Sequence, residues 1–185
     1  MEWGTLVATL GGAVIAISGT VLADRLRNRH EDDRGLGARR REVYTAFIAA
    51  AGTTHTQLVK IAQTSADPAR ADEADPASRA ALVDSGLYDV RERLYIDASE
   101  PVAGAGQRMF ELLRELRRVV GSGAPQSSTA FHEAYHPYIE AVWAYRVAVR
   151  AELEGRSLTP AVFGWAAWDG RERCPVCRTV PAPAG

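Results

Sequence analysis

Two histidines separated by one helical turn have the spacing of a pair that can bind one metal ion. His132 and His136 belong to the stretch His132-Glu133-Ala134-Tyr135-His136. On a helix, residues i and i+4 share a face, so both imidazoles can bind one zinc ion while Glu133 polarises a bound water. The stretch therefore fits a hydrolytic zinc site, or it is a chance match whose histidines flank core residues.

The same five residues resemble the zinc-binding motif of the zincin metallopeptidases. The resemblance implies zinc held by His132 and His136, with Glu133 as the catalytic residue. This sequence departs from the zincin pattern in two ways. Pro137 follows the second histidine directly, where a zincin helix continues, and no third ligand follows nearby in the sequence. We therefore predict that residues 132–136 do not form a peptidase site.

A cysteine pair near the C-terminal end offers a second set of ligands. Cys174 and Cys177 are the two cysteines of the chain, and their spacing is similar to one half of a ribbon- or rubredoxin-like zinc site. Three arrangements are open: two chains each supply a pair, His132 and His136 complete the set, or the thiols stay free. The sequence requires no cofactor. If structural zinc is bound, we expect Cys174 and Cys177 to hold it, because thiolates dominate closed structural sites.

Helical periodicity dominates the segments that must position these residues. Apolar residues recur at spacings of three and four in four segments, and no segment shows clear period-two alternation between turn residues. We predict an all-α fold, with an antiparallel bundle of about four helices over residues 42–155. Its second helix begins near Pro76 and continues to about Leu94, and Leu112 lies in the centre of another buried stripe. A short tail, residues 156–185, carries a tryptophan pair and the cysteines.

An uncharged stretch of 21 residues, 3–23, lies near the N-terminus. About 20 helical residues cross the hydrocarbon core of a bilayer, so we predict that residues 1–23 form a single transmembrane helix. A cleaved signal peptide ending at Ala23 is the alternative, but the basic residues follow the stretch, whereas a signal peptide begins with them. The predicted helix makes the lipid bilayer a partner of this chain.

The orientation of this helix follows from its arginine-rich flank. Residues 24–41 carry seven arginines against four acidic residues, which leaves +3. Cytoplasmic flanks carry the excess of basic residues, so the N-terminus is expected outside and the C-terminal domain in the cytoplasm, at the plasma membrane. Two closely spaced cysteines fit this reducing compartment. The net charge of −1 provides no global field for nucleic acid, so no nucleic-acid partner is expected.

Small residues recur every four positions along the predicted membrane helix. Gly4, Ala8, Gly12 and Ala16 would share one face. Because small residues let two helices pack backbone to backbone in lipid, this face favours a homo-oligomer.

A pattern of arginines and aromatic residues marks the start of the first helix after the predicted membrane span. Arg40-Arg41 is followed by Tyr44 and Phe47. With the membrane helix and the arginine-rich junction, it resembles a group of uncharacterised actinobacterial single-pass membrane proteins with a cytoplasmic helical domain. The resemblance covers most of residues 1–155 and implies no activity. We therefore predict a non-catalytic, membrane-anchored interaction or scaffold module with an unknown protein partner; the alternative is a zinc-dependent hydrolase that uses Glu133.

Overall fold

A computed structural model describes residues 35–65 and 73–179 of the chain. The chain divides into two compact units, Met1–Arg39 and Arg40–Gly185, and almost every described residue belongs to the second. The described residues form five α-helices and no strand, which confirms the prediction of an all-α fold for this part of the chain. The helices are α1 (35–64), α2 (Ala74–Asp84), α3 (Leu87–Asp97), α4 (Glu100–Gly121) and α5 (Thr129–Glu154).

The prediction of about four helices is corrected at Gly86. The segment predicted as one helix is divided into α2 and α3, because Gly86 adopts a left-handed conformation with φ of 67°. Its N–H donates to the carbonyl of Val83 at 3.0 Å, which closes the end of α2. Glycine takes this conformation without the steric cost that a Cβ atom imposes. The two helices on either side of the break both contact α4.

Contacts between side chains establish the directions of the helices. The start of α1 meets the end of α5, where the Tyr44 hydroxyl donates to Glu152 at 2.9 Å. Further along, the Tyr138 hydroxyl donates to the Ala51 carbonyl at 3.3 Å. The residue numbers rise along α1 as they fall along α5, so these two helices are antiparallel.

The same comparison places α2 and α3 antiparallel to α4. Arg117, near the end of α4, pairs with Asp75 in the first turn of α2 at 2.9 Å. Tyr88 in α3 packs edge-on against Phe110 in the middle of α4, with ring centroids 5.6 Å apart. The described helices therefore form a bundle in which each helix runs antiparallel to the next one along the chain, when α2 and α3 are counted as one helix.

The buried face of α4 differs from the predicted stripe. Leu113 is fully buried, whereas Leu112 is only half-buried and lies beside arginines on the surface. Met109 and Leu116 are buried as predicted, and Phe110 is buried as well. The reason is that α4 packs against α5 and also against α2 and α3, so its apolar surface is wider than a single stripe and its centre is shifted.

The arginine and aromatic pattern at the start of α1 serves the packing of the bundle. Arg40 pairs with Glu152 at 2.9 Å, and the Tyr44 hydroxyl donates to the same carboxylate. Ser99, before the first turn of α4, also donates to Glu152. Phe47 is buried against Tyr145, with ring centroids 5.3 Å apart. These contacts join the first, fourth and fifth helices at one end of the bundle.

Helix α5 carries both histidines and continues past the proline. It begins after Ser128, whose side chain accepts a hydrogen bond from the Phe131 N–H at 3.2 Å, and it ends at Gly155 with φ of 64°. Pro137 lies inside this helix without ending it. The proline therefore does not distinguish residues 132–136 from a zincin helix, and only the missing third ligand remains as a departure from that pattern.

The described helices do not include a membrane span. None of those within residues 35–65 and 73–179 has the length and apolar character that crossing a bilayer requires. The predicted transmembrane helix, residues 1–23, lies outside the described residues, and so do Gly4, Ala8, Gly12 and Ala16. Most of the arginine-rich segment 24–41 lies outside them as well.

Candidate metal centre

The structure brings the histidine pair and the cysteine pair together. His132, His136, Cys174 and Cys177 each offer one ligand atom, and these atoms lie within 4.8 Å of one another. Nδ1 of His132 is 3.4 Å from Sγ of Cys174, and Nε2 of His136 is 3.2 Å from Sγ of Cys177. Around tetrahedral zinc, with Zn–S of about 2.3 Å and Zn–N of about 2.0–2.1 Å, neighbouring ligand atoms are roughly 3.3–3.8 Å apart. The four side chains could therefore hold one metal ion.

A main-chain carbonyl orients His136 for this role. Nδ1 of His136 lies 2.7 Å from the carbonyl oxygen of Asp169, and the side chain is almost fully buried. Since a carbonyl can only accept, Nδ1 carries the proton and donates to it. Nε2 then keeps its lone pair and faces Cys177. Metal-ligating histidines generally donate their other ring N–H to such a partner, which fixes both the tautomer and the orientation of the ring.

The two cysteines sit on a tight turn that the main chain closes on itself. The N–H of Cys177 donates to Sγ of Cys174 at 3.5 Å, and the N–H of Arg178 donates to the Cys174 carbonyl at 3.1 Å. Cys174 is buried and Cys177 is half-buried. The turn therefore holds both sulfur atoms close to the histidine nitrogens.

The electrostatic environment of the centre couples metal binding to protons. Burial lowers the pKa of His132 below its ordinary value, and the charge of His136 adds to this, against a hydrogen bond with the Gln126 main chain. Burial raises the pKa of Cys177, as do a hydrogen bond and the charge of Cys174. His132 is thus kept neutral and able to bind metal, whereas Cys177 must lose a proton when metal binds. Metal affinity is therefore expected to fall as the pH falls.

An aromatic cluster attaches the C-terminal segment to α5 at a second place. It consists of Trp143 from α5 and of Phe163, Trp165 and Trp168 from the segment. Trp143 stacks on Trp168 with centroids 4.5 Å apart and an interplanar angle of 11°, and it meets Trp165 edge-on at 5.2 Å. The tryptophan pair of the tail is therefore packed against the bundle, although neither Trp165 nor Trp168 is fully buried.

Arginines cover parts of this aromatic cluster, and apolar side chains are exposed beside it. The guanidinium of Arg173 lies 3.6 Å from the centroid of Trp165, and that of Arg146 lies 4.5 Å from Trp143, both within the range of cation–π attraction. Val162 is 68% exposed and Phe163 is 44% exposed. The segment thus presents an apolar and cationic surface whose position depends on how it is held to α5.

A cavity of about 670 Å³ adjoins the metal centre. Three of the four ligand residues, His132, His136 and Cys174, contribute to its lining, together with apolar side chains such as Val59 of α1. Glu133 does not contribute to this lining, and its side chain is exposed. The zincin-like stretch therefore places its histidines beside the cavity and leaves its glutamate outside.

The sequence predicted both pairs of candidate ligand residues, but it gave no sign of the groups that position them. The Asp169 carbonyl has no signature in a sequence, because every residue carries one. The role of Trp143 was also missed, although it lies on α5 between the histidines and the end of the helix. Its spacing from the tail tryptophans gives no signal, since the contact is long-range.

No protein-family model, curated protein or solved structure matches the chain.

Proposed function

We propose that the chain is a non-catalytic, membrane-anchored interaction module whose C-terminal segment is fixed to a helical bundle by structural zinc. The observation that carries the proposal is the convergence of His132, His136, Cys174 and Cys177, with ligand atoms within 4.8 Å. Two thiolates and two imidazoles are a common ligand set of structural zinc sites. The hydrogen bond from His136 to the Asp169 carbonyl supports it further.

The number of ligands favours a structural role over a catalytic one. A catalytic zinc ion keeps one position for water or substrate and takes three protein ligands, whereas a structural ion takes four. With four side chains converging, no position is left for an activated water. The exposed side chain of Glu133 agrees with this, because a general base must reach the water that it deprotonates.

Zinc would give the C-terminal segment a stability that its own structure lacks. After Gly155, the described chain contains only three short 3-10 turns, Pro160–Phe163, Arg171–Arg173 and Cys177–Thr179. Such turns have few internal hydrogen bonds. Structural zinc contributes about 10–16 kcal/mol in zinc-finger peptides at neutral pH, enough to order a segment of this kind. The metal would thereby hold the aromatic cluster, with exposed Val162 and Phe163, as a surface for a protein partner.

Zinc content tests the metal centre. The purified full chain should contain one zinc ion, and Cys174→Ser and His136→Asn should each lose most of it. Glu133→Gln is the matched control, because it alters a neighbouring charged residue that is not among the four ligands. Retention of full zinc by Cys174→Ser would contradict the proposed centre.

The membrane anchor is supported by the sequence alone. Residues 3–23 carry no charge, and the arginines that follow them favour a cytoplasmic C-terminal domain. The full chain should remain in membranes after alkaline extraction, and a chain without residues 1–23 should be soluble. A reporter after Gly185 should be active only in the cytoplasm. Activity of the same reporter outside would contradict the orientation.

Self-association through the small-residue face is a separate part of the proposal. Gly12→Ile should weaken association of the membrane segment, because a branched side chain separates the two backbones. Leu10→Ile is a matched control outside the small-residue face. Equal association of the Gly12 variant and the wild type would show that the regular spacing of small residues reflects only the composition of the segment and does not drive association.

One observation favours the alternative, a zinc-dependent hydrolase: the cavity is lined by three of the four ligand residues, so a small molecule could approach the metal. This function needs Glu133 as a base and one ligand that gives way to water. Hydrolysis of a peptide or ester by the zinc-loaded chain, abolished in Glu133→Gln with zinc retained, would establish the hydrolase. Activity that is absent from both proteins would support the structural role.

A further inference from the structure

From the geometry of the metal centre we infer that Cys177 is an oxidation site for hydroperoxides, and that a disulfide between Cys177 and Cys174 opens the centre. This inference rests on the proposed zinc site. It assigns a chemical modification to residues that would otherwise have only a structural role.

The positions of the two cysteines favour this chemistry. Their sulfur atoms belong to a group of ligand atoms within 4.8 Å, and only two residues separate Cys174 from Cys177. The chain has no other cysteine, so no third thiol competes for either partner. Cys174 is buried and Cys177 is half-buried. Because the oxidant must reach the sulfur atom, the half-buried Cys177 is attacked and the buried Cys174 resolves the product.

The reaction is a two-electron oxidation in two steps. The Cys177 thiolate attacks one peroxide oxygen of ROOH, an S–O bond forms, the O–O bond breaks, and the leaving oxygen takes a proton to give ROH. The Cys174 thiolate then attacks the sulfur of this sulfenic acid, and the hydroxide that leaves takes a proton to become water. In total, two thiolates, one hydroperoxide and two protons give a disulfide, an alcohol (water when the oxidant is hydrogen peroxide) and water. The sulfurs are oxidised and the peroxide is reduced.

The consequence is loss of the metal and loosening of the segment. A disulfide no longer offers thiolate ligands, and His132 with His136 alone cannot complete a tetrahedral zinc site. The segment would then be held by the hydrogen bond between His136 and the Asp169 carbonyl, 2.7 Å, and by the stacking of Trp168 on Trp143. Oxidation would therefore change the presentation of the aromatic cluster.

The test uses the zinc-loaded full chain and hydrogen peroxide. A zinc-binding dye measures released metal, and alkylation followed by intact mass measurement counts free thiols. We expect both thiols to disappear together, the mass to fall by two hydrogen atoms, and one zinc ion to be released for each disulfide. A thiol reductant and added zinc should restore the starting state. Glu133→Gln should react as the wild type does.

The single cysteine variants identify the residue that is attacked. A cyclic diketone, which traps sulfenic acids, should label Cys177 in Cys174→Ser several-fold more than it labels Cys174 in Cys177→Ser. Helical circular dichroism of both variants shows whether they remain folded. Equal labelling, or stronger labelling of Cys174, would overturn the assignment of Cys177.

Three further outcomes separate this inference from the proposed zinc site on which it rests. A zinc-loaded chain that keeps its metal and both thiols in excess peroxide contradicts the inference alone. A disulfide that forms while zinc is retained contradicts both the inference and the metal centre, because that zinc would then be held without the thiolates. A chain that binds no zinc before peroxide is added contradicts the metal centre, and the inference with it.

Discussion

Two glycines of α4 should respond in opposite ways to the same substitution. Gly106 is buried where α4 meets its neighbours, and a Cβ atom placed there would overlap the Leu94 side chain and lie 3.4 Å from Phe47 and 3.5 Å from Tyr145. Gly104 lies in the same helix, is exposed, and a Cβ atom there would meet nothing within 4 Å. Gly104→Ala is therefore a matched control for Gly106→Ala.

The magnitudes follow from two opposing effects. Alanine is favoured over glycine in a helix interior by about 0.5–1 kcal/mol, so Gly104→Ala should raise the free energy of unfolding by that amount. Gly106→Ala gains the same helix preference of alanine over glycine, but it adds a methyl group to a closely packed core, which costs roughly 1–3 kcal/mol. The Leu94 side chain is fully buried and has little space to move aside. Gly106→Ala should therefore be less stable than Gly104→Ala by about 1–3 kcal/mol.

Denaturant unfolding of the two variants, followed by circular dichroism, measures this difference. The wild type and both variants are compared at one pH and with the same metal content, since bound metal adds to stability. If both alanine variants are stabilised equally, the close packing of α3, α4 and α5 around Gly106 is wrong.

Other predictions concern the half-buried carboxylate of Glu152, the core of α4 and the half-buried side chain of His55. Glu152→Ala leaves three donors without their acceptor and should lower the free energy of unfolding by about 1–3 kcal/mol. Glu154→Ala is the control, because it breaks only a surface ion pair and should cost at most about 0.5 kcal/mol. Similar losses in the two variants would contradict the hydrogen-bond network around Glu152. Leu113→Ala should lower the free energy of unfolding by about 2–5 kcal/mol, and Leu112→Ala by about half as much. A larger loss for Leu112→Ala would support the stripe predicted from the sequence, in which Leu112 is central. Burial lowers the pKa of His55, so the unfolded state takes up a proton more readily than the folded state. Stability should fall as the pH falls below about 6.5, by at most about 1.4 kcal/mol per pH unit for this group, and His55→Phe should flatten that slope in pH-dependent melts.

Local sequence patterns predicted the helices correctly where a helix packs against one neighbouring helix, because that neighbour alone determines which face is buried. The three- and four-residue spacings predicted the helical segments of the bundle. They misplaced the buried face of α4, because a helix that packs against neighbours on two sides has no single stripe. They also joined α2 and α3, since a lone glycine inside a helical pattern breaks the helix only when the surrounding packing requires a change of direction.

The candidate site shows the limit of sequence reasoning more directly. Each pair of ligands was recognisable from its spacing, but 42 positions separate His132 from Cys174 along the chain. Only the return of the segment across α5 joins the two pairs, and that return depends on contacts such as the stacking of Trp168 on Trp143. Nothing in the local sequence of either pair distinguishes this arrangement from two separate half-sites.

X-ray absorption spectroscopy at the zinc edge, on the zinc-loaded full chain, tests the central claim most directly. For a zinc ion held by the two cysteines and the two histidines, we expect two sulfur ligands at about 2.3 Å and two nitrogen ligands at about 2.0–2.1 Å, with no water oxygen bound to the metal. Glu133→Gln, which keeps all four candidate ligands, should leave the spectrum unchanged. A spectrum with no sulfur ligand, or with a water oxygen beside only three protein ligands, would contradict the account.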